Sequence, residues 1–103
     1  MFDFDTCFGD RVDTPQIYHE VVRPITKKAL QGYNGCIFMY GQTTSGKTYT
    51  MLGESSSPGL LPCAVRDVFK GIEADPNAHH FKVWVSYLEI YNESINDLFN
   101  KDA

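Results

Sequence analysis

Apolar residues recur at spacings of three and four from Ile17 through Tyr18, Val21, Val22, Ile25 and Ala29 to Leu30, one face of an amphipathic helix. Thr14-Pro15 supplies its start, with Thr as N-cap and Pro at the first helical position. Pro24 lies inside the pattern, removes a backbone donor, and is expected to kink or divide the helix. Gly32-Tyr33-Asn34-Gly35 ends it and turns the chain into Cys36-Ile37-Phe38-Met39-Tyr40, an apolar run that reads as a buried strand. Lys47 to Leu52 predicts a short helix stopped by Gly53, and Glu54 to Gly59 a polar loop with strong breakers. A second helix follows, with Pro62 near its first turn and Leu61, Val65, Val68, Phe69 and Ile72 on one face. Asp75-Pro76-Asn77 is a turn.

Phe81 to Tyr91 predicts the longest strand, with Phe81, Val83, Val85, Tyr87 and Tyr91 on one side and Trp84, Leu88 and Ile90 on the other. Both faces are largely apolar, so it belongs inside a sheet or under a helix. Asn92-Glu93-Ser94 turns the chain, and Ile95, Leu98 and Phe99 form a short apolar tail. At the other end, Phe2-Asp3-Phe4-Asp5 alternates like a half-buried strand end, and Thr6 to Asp13 is turn-like. Helix, tight turn, strand, loop, helix is an α/β order, whose usual consequence is a buried parallel sheet. About three strands are visible, and none partners Cys36–Tyr40 convincingly on both sides. The chain is therefore expected to be a piece of a larger domain, with open strand edges and poor stability in isolation.

Between the apolar run and the short helix stands Gly41-Gln42-Thr43-Thr44-Ser45-Gly46-Lys47-Thr48, which fits Gly, four residues, Gly, Lys, Ser or Thr. The glycines let the backbone take conformations a Cβ forbids and close on a ligand. The loop amides then form a nest for phosphate oxygens, and the following helix turns its positive end to the same anion. Lys47 reaches β- and γ-phosphates, and the Thr48 hydroxyl can ligate Mg²⁺. Chance alone would write this pattern in roughly 0.3% of chains this long. Strand, glycine loop and helix are also the context it needs.

Composition narrows the setting. The chain has 103 residues, 43% hydrophobic and 14% aromatic, which is globular material and at most one domain. A net charge of −4 argues against an intrinsic nucleic-acid surface here. No apolar run is long enough for a membrane span, and Met1-Phe2-Asp3-Phe4-Asp5 has neither the basic nor the apolar region of a secretory signal. Cys7, Cys36 and Cys63 are odd in number and widely spaced, as expected of reduced thiols in a cytosolic or nuclear setting.

Other candidate chemistry is thin. Adjacent His79 and His80 lack metal-ligand spacing and read as a solvated loop, and His19 falls on the wet helix face. Glu89 breaks the long apolar strand and Glu93 closes it. Neither ends a run of four apolar residues as a metal-holding acid would, so pairing or capping is the expected role. No Asp-x-x-Gly and no Ser-rich switch with an Arg occurs, so the residues that sense a γ-phosphate and orient the attacking water are missing.

Five blocks in order resemble the kinesin motor domain. They are Phe2-Asp3-Phe4-Asp5; Gly32-Tyr33-Asn34-Gly35 leading into Tyr40-Gly41-Gln42-Thr43; Ser45-Gly46-Lys47-Thr48-Tyr49-Thr50-Met51; Gly59-Leu60-Leu61-Pro62; and Ser86-Tyr87-Leu88-Glu89-Ile90-Tyr91-Asn92-Glu93 with Asp97-Leu98. Residues 42 to 51 lean toward the centromere-associated kinesins. The resemblance covers nearly the whole chain. It implies an incomplete fragment of a P-loop NTPase-type three-layer α/β sandwich, one partial motor domain over residues 1–103 with no second domain. It further implies an ATP-driven microtubule motor of the cytoplasmic cytoskeleton, a coiled-coil dimer at full length, with ATP and Mg²⁺ as ligands. No nucleic-acid or membrane partner is expected. Gly41 to Thr48 would wrap the triphosphate, Thr48 would hold Mg²⁺, and Tyr49 would lie under the adenine. Glu54 to Gly59 would be a surface loop that modulates the motor. The switches and the track-binding elements would lie outside this sequence, leaving the fragment alone inactive. The alternative is a truncated or pseudo-motor remnant that serves only as an interaction segment. Departures from the family pattern are Met39 for a usual Ala, Cys63 for a frequent Arg and Phe99 for a usual Leu. None touches the phosphate contacts.

Overall fold

The computed structural model describes residues 1–100. After a turn closed by the Val12 amide on the Gly9 carbonyl at 3.2 Å, the chain enters a helical run in three parts. These are α1 (Thr14–Ile17), a π-helical stretch (Tyr18–Val22) and α2 (Arg23–Leu30). The N-cap is Asp13 rather than the expected Thr14: its carboxylate accepts from the Gln16 amide at 3.1 Å, while Thr14 is buried. Both residues can cap, and the carboxylate also favours the positive helix end. Pro24 does not break the run. In the π stretch the Arg23 amide reaches back to the Tyr18 carbonyl, and Pro24 falls in the first turn of α2, where its missing N–H is tolerated.

Helix α3 (Lys47–Leu52) follows the glycine loop. Where the sequence suggests only a polar loop, β1 (Gly53–Glu54) pairs antiparallel with β2 (Ser57–Pro58), opposing Gly53 to Pro58 and Glu54 to Ser57. The Gly59 amide closes its base on the Leu52 carbonyl at 3.1 Å. Gly53 has φ +71°, and a Cβ there would lie 2.3 Å from both the Gly59 nitrogen and the Ser57 carbonyl oxygen. Only glycine fits.

Helix α4 (Leu60–Glu73) then packs against α2, the π stretch and α3. Its first-turn Leu60 and Cys63 meet Tyr18 and Val22 in the only cluster of buried apolar side chains among the described residues, with Leu60 2% and Val22 3% exposed. Of the face anticipated for this helix, Val68 and Ile72 are partly buried, whereas Leu61, Val65 and Phe69 are about half exposed. Polar contacts reinforce the helix pair. The Tyr18 hydroxyl donates to Asp67 at 2.7 Å, and Arg23 Nε lies 3.6 Å from the same carboxylate oxygen.

The expected strand at residues 36–40 is not formed: the segment has no strand partner. Ile37 and Met39 pack on the core cluster while Phe38 is 79% exposed. The alternation of a strand is therefore present without its ladder. Of the strand expected from Phe81 to Tyr91, only β3 (Leu88–Tyr91) is paired, in an antiparallel hairpin with β4 (Ser94–Asp97) through Asn92 and Glu93, both at positive φ. The apolar tail read at Ile95 is thus part of a strand. Phe2 to Asp5 forms no strand, and Trp84 is 88% exposed. Across an apolar cavity of about 440 Å³, Ile37, Val83 and Val85 face Ile25, Val68 and Phe69, the seam where these unpaired segments and the helices approach.

The chain exposes 9224 Å², where a folded monomer of 11.7 kDa exposes about 5,900 Å². Its radius of gyration, 16.1 Å, compares with about 13 Å for a compact domain of this length. Purified residues 1–103 should therefore melt without a cooperative transition. A sharp calorimetric peak would contradict this. Burial first, and then the bond to Asp67, push the Tyr18 phenol up to about 12. Because the folded value lies above the ordinary value near 10, this group's contribution is complete below pH 10 and is lost as pH rises toward 12. In the full-length protein, Tyr18→Phe should remove that alkaline loss and cost about 1 kcal/mol at neutral pH, as read by denaturant unfolding.

Candidate phosphate-binding site

The loop from Gly41 to Gly46 is carried between segment 36–40, which rests on the Tyr18–Leu60 cluster through Ile37 and Met39, and α3, which packs against α4. A turn at Thr43 and Thr44 is closed by the Ser45 amide on the Gln42 carbonyl at 3.2 Å. Thr44 at φ +68° and Gly46 at φ +92° both lie in the left-handed region. A left-handed residue beside a right-handed one turns successive backbone amides toward one side, as a nest requires. Gly46 caps α3, and the Thr50 amide returns to its carbonyl at 2.9 Å. The first-turn amides of Lys47, Thr48 and Tyr49 precede that bond and have no partner within the helix. No acidic residue stands in the first turn to neutralise that positive end.

A concavity of about 400 Å³ opens there, lined by Thr43, Thr44, Ser45, Gly46, Lys47, Thr48 and Tyr49. Seven of the nine residues singled out from sequence thus share one surface. The other two, Gly41 and Gln42, are not in its lining. Lys47 Nζ donates to the Gly41 carbonyl, so the lysine folds back across the loop that precedes it. A Cβ on Gly41 would lie 2.6 Å from Ser45 Oγ and 3.7 Å from Lys47 Cγ, so the bare α-carbon makes room for this closure. Sequence spacing carries no signal for that contact. On the other side of the lysine, Met39, Met51, Leu61 and Tyr87 line an adjoining cavity with Lys47 and Thr48. Tyr87 was legible only as a strand residue.

The donor set fits an anion: backbone amides, one ammonium and the hydroxyls of Thr43, Thr44, Ser45 and Thr48, with no carboxylate in the lining. Among the described residues no three His, Cys, Asp or Glu side chains group to hold a metal. A divalent cation here would rest on the Thr48 hydroxyl together with oxygens supplied by the anion and water, the coordination Mg²⁺ favours. Tyr49, half exposed, offers a ring face at the rim. Glu89 accepts from its cross-strand partner Asn96 at 3.4 Å, the pairing role anticipated for it. His79 and His80 lie in a 3₁₀ turn, both exposed, with ring centroids 3.9 Å apart. Among the described residues no helix is long and apolar enough to cross a membrane.

Comparison with known proteins gives this arrangement a family. The family model for the kinesin motor domain matches residues 1–103. "Kinesin-like protein KIN-7D, mitochondrial" of Arabidopsis thaliana is 48% identical over 99 residues, 96% of this chain and 9% of that protein. "Centromere-associated protein E" of Homo sapiens is 50% identical over 97 residues, 94% of this chain and 4% of that protein. Among solved structures, the Drosophila kinesin family member Kin10/NOD in complex with divalent manganese and ADP superposes with a TM-score of 0.80 at 31% identity. The match covers 97% of this chain and 37% of that one. The chain thus spans less than a tenth of the length of these two relatives and carries an incomplete portion of the fold. With a family match from end to end and the fold shared at this identity, the chain belongs to the kinesin motor domain family.

Proposed function

We propose that these residues are the nucleotide-binding part of a microtubule-based motor, binding Mg·ATP at the loop 41–48. The observation that carries this reading is the carboxylate-free concavity at the start of α3, lined by Thr43 to Tyr49 with two left-handed residues in its wall. The neighbouring kinesin's complex with manganese and ADP supports the pairing of a nucleotide with a divalent cation. Residues 1–103 form one partial motor domain with no second domain, placed on the microtubule cytoskeleton of the cytoplasm. Track contacts, both switches and a dimerising coiled coil belong to other parts of the full-length protein.

Each residue has a role. Amides of Gly41 to Thr48 donate to phosphate oxygens, and Gly46 gives the backbone the φ that aims them. Lys47 exchanges its bond to the Gly41 carbonyl for one to a β- or γ-phosphate oxygen. Thr48 Oγ1 ligates Mg²⁺, which would neutralise charge on the phosphates when bound. Tyr49 stacks against the base. Hydrolysis depends on groups supplied by the rest of the motor, since positioning of the water and sensing of the γ-phosphate need residues that this segment lacks.

In the full-length protein, Lys47→Ala should lower microtubule-stimulated ATP turnover by about 100-fold or more, followed by phosphate release. Turnover at the parent rate would overturn the reading, and a full-length protein that binds no nucleotide would favour an interaction segment instead. Gly46→Ala places a Cβ on a residue at φ +92°, which costs about 1–2 kcal/mol. Calorimetric titration with Mg·ADP should show affinity weakened about 5- to 30-fold, with the fold intact because that Cβ meets nothing within 4 Å.

A further inference from the structure

Two of the five prolines follow a hydroxyl residue, in Thr14-Pro15 and Ser57-Pro58. Such a dipeptide is what a proline-directed protein kinase accepts, since proline brings no backbone N–H that would be left unpaired in the enzyme's cleft. The sequence does not separate the two. The structure does. Thr14 is buried in the first turn of α1, next to the Asp13 cap, so presenting it would unwind that helix. Ser57 lies in β2, and the two residues before it, Ser55 and Ser56, form an exposed turn. Its backbone is already extended, as a residue before proline prefers. The hairpin has two residue pairs, and a ribbon that short has little stability of its own.

We propose that Ser57 is a phosphorylation site and that its phosphate unlocks the hairpin between α3 and α4. Transfer forms a bond from Ser57 Oγ to the γ-phosphorus of a nucleoside triphosphate held by the kinase. The bond from that phosphorus to the bridging oxygen breaks, and the nucleoside diphosphate and the hydroxyl proton leave. The serine thereby gains up to two negative charges at neutral pH. Its cross-strand partner is Glu54, and like charges directly opposed destabilise a ladder. Residues 51 to 61 contain no Lys, Arg or His to offset the added charge. The hairpin also follows the C-terminal, negative end of α3. Both effects push it open, against the bond from the Gly59 amide to the Leu52 carbonyl.

Full-length protein treated with a proline-directed kinase and Mg·ATP, then mapped by tandem mass spectrometry, should carry phosphate on Ser57 and none on Thr14. Ser57→Ala and Pro58→Ala should each lose that signal. Phosphate on Ser55, Ser56 or Thr14 in its place, or on no serine of the hairpin, overturns the assignment. Amide hydrogen exchange gives the second readout. The Gly59 amide should exchange about two- to fivefold faster in the phosphorylated protein, and unmodified Ser57→Ala should exchange at the parent rate. Unchanged or slower exchange after phosphorylation overturns the unlocking. Neither readout involves bound nucleotide, so both are independent of the motor assignment.

Discussion

Tyr18 and Val22 from the first helical run, set against Leu60 and Cys63 from α4, hold the described residues together. Every element that shapes the phosphate loop is tied to this seam. Ile37 and Met39 rest on it and fix the segment entering the loop. Leu60 fixes the start of α4, and Gly59, one residue before, bonds to the last residue of α3. Four side chains are a small core for so much chain, and the remaining apolar surface lies open. Phe38, Trp84, Ile90 and Tyr91 are exposed, left uncovered by the other described residues.

Much of this was legible in the sequence, and what was not has a physical cause. Helical periodicity placed the run through Leu30 and the helix after Gly59, since a helix is specified by residues close in the chain. The choice of Asp13 over Thr14 as cap, and the π stretch that accommodates Pro24, are settled by local hydrogen bonding among near-equivalent options. The strands are the clear difference. Residues 36–40 alternate as a strand should, yet a strand is completed by a partner, and pairing is non-local. Residues 81–87 likewise form no ladder, whereas Leu88–Tyr91 finds Ser94–Asp97 across a two-residue turn. Which apolar face of α4 is buried also depended on the partner. Leu60 and Cys63 meet Tyr18 and Val22, while Val65 and Phe69 look into the seam cavity.

The candidate site was more legible than the fold because its chemistry is contiguous. Seven consecutive residues, Thr43 to Tyr49, make the concavity, so spacing alone brought them together. The contributions of Met39 and Tyr87 to the adjoining cavity come from unpaired segments outside the loop and had no such signal. The hairpin at Gly53 was hidden in a run of serines. Its formation depends on a glycine at φ +71° packed against the backbone of Gly59, a requirement that polarity does not reveal.

The bond from Lys47 to the Gly41 carbonyl bears on the entropy of capture. A lysine free in water gives up about 2 kcal/mol of rotamer freedom when it is fixed. Here much of that loss has been absorbed by folding, because the side chain already lies across its own loop. Under the proposed function, an arriving anion would therefore recruit an ammonium that is preorganised and only has to change acceptor. The carbonyl it leaves is half-buried and then needs another donor, so part of the gain is returned when the lysine departs. The latch thus tempers affinity for an anion while holding the cation across the loop that would receive it.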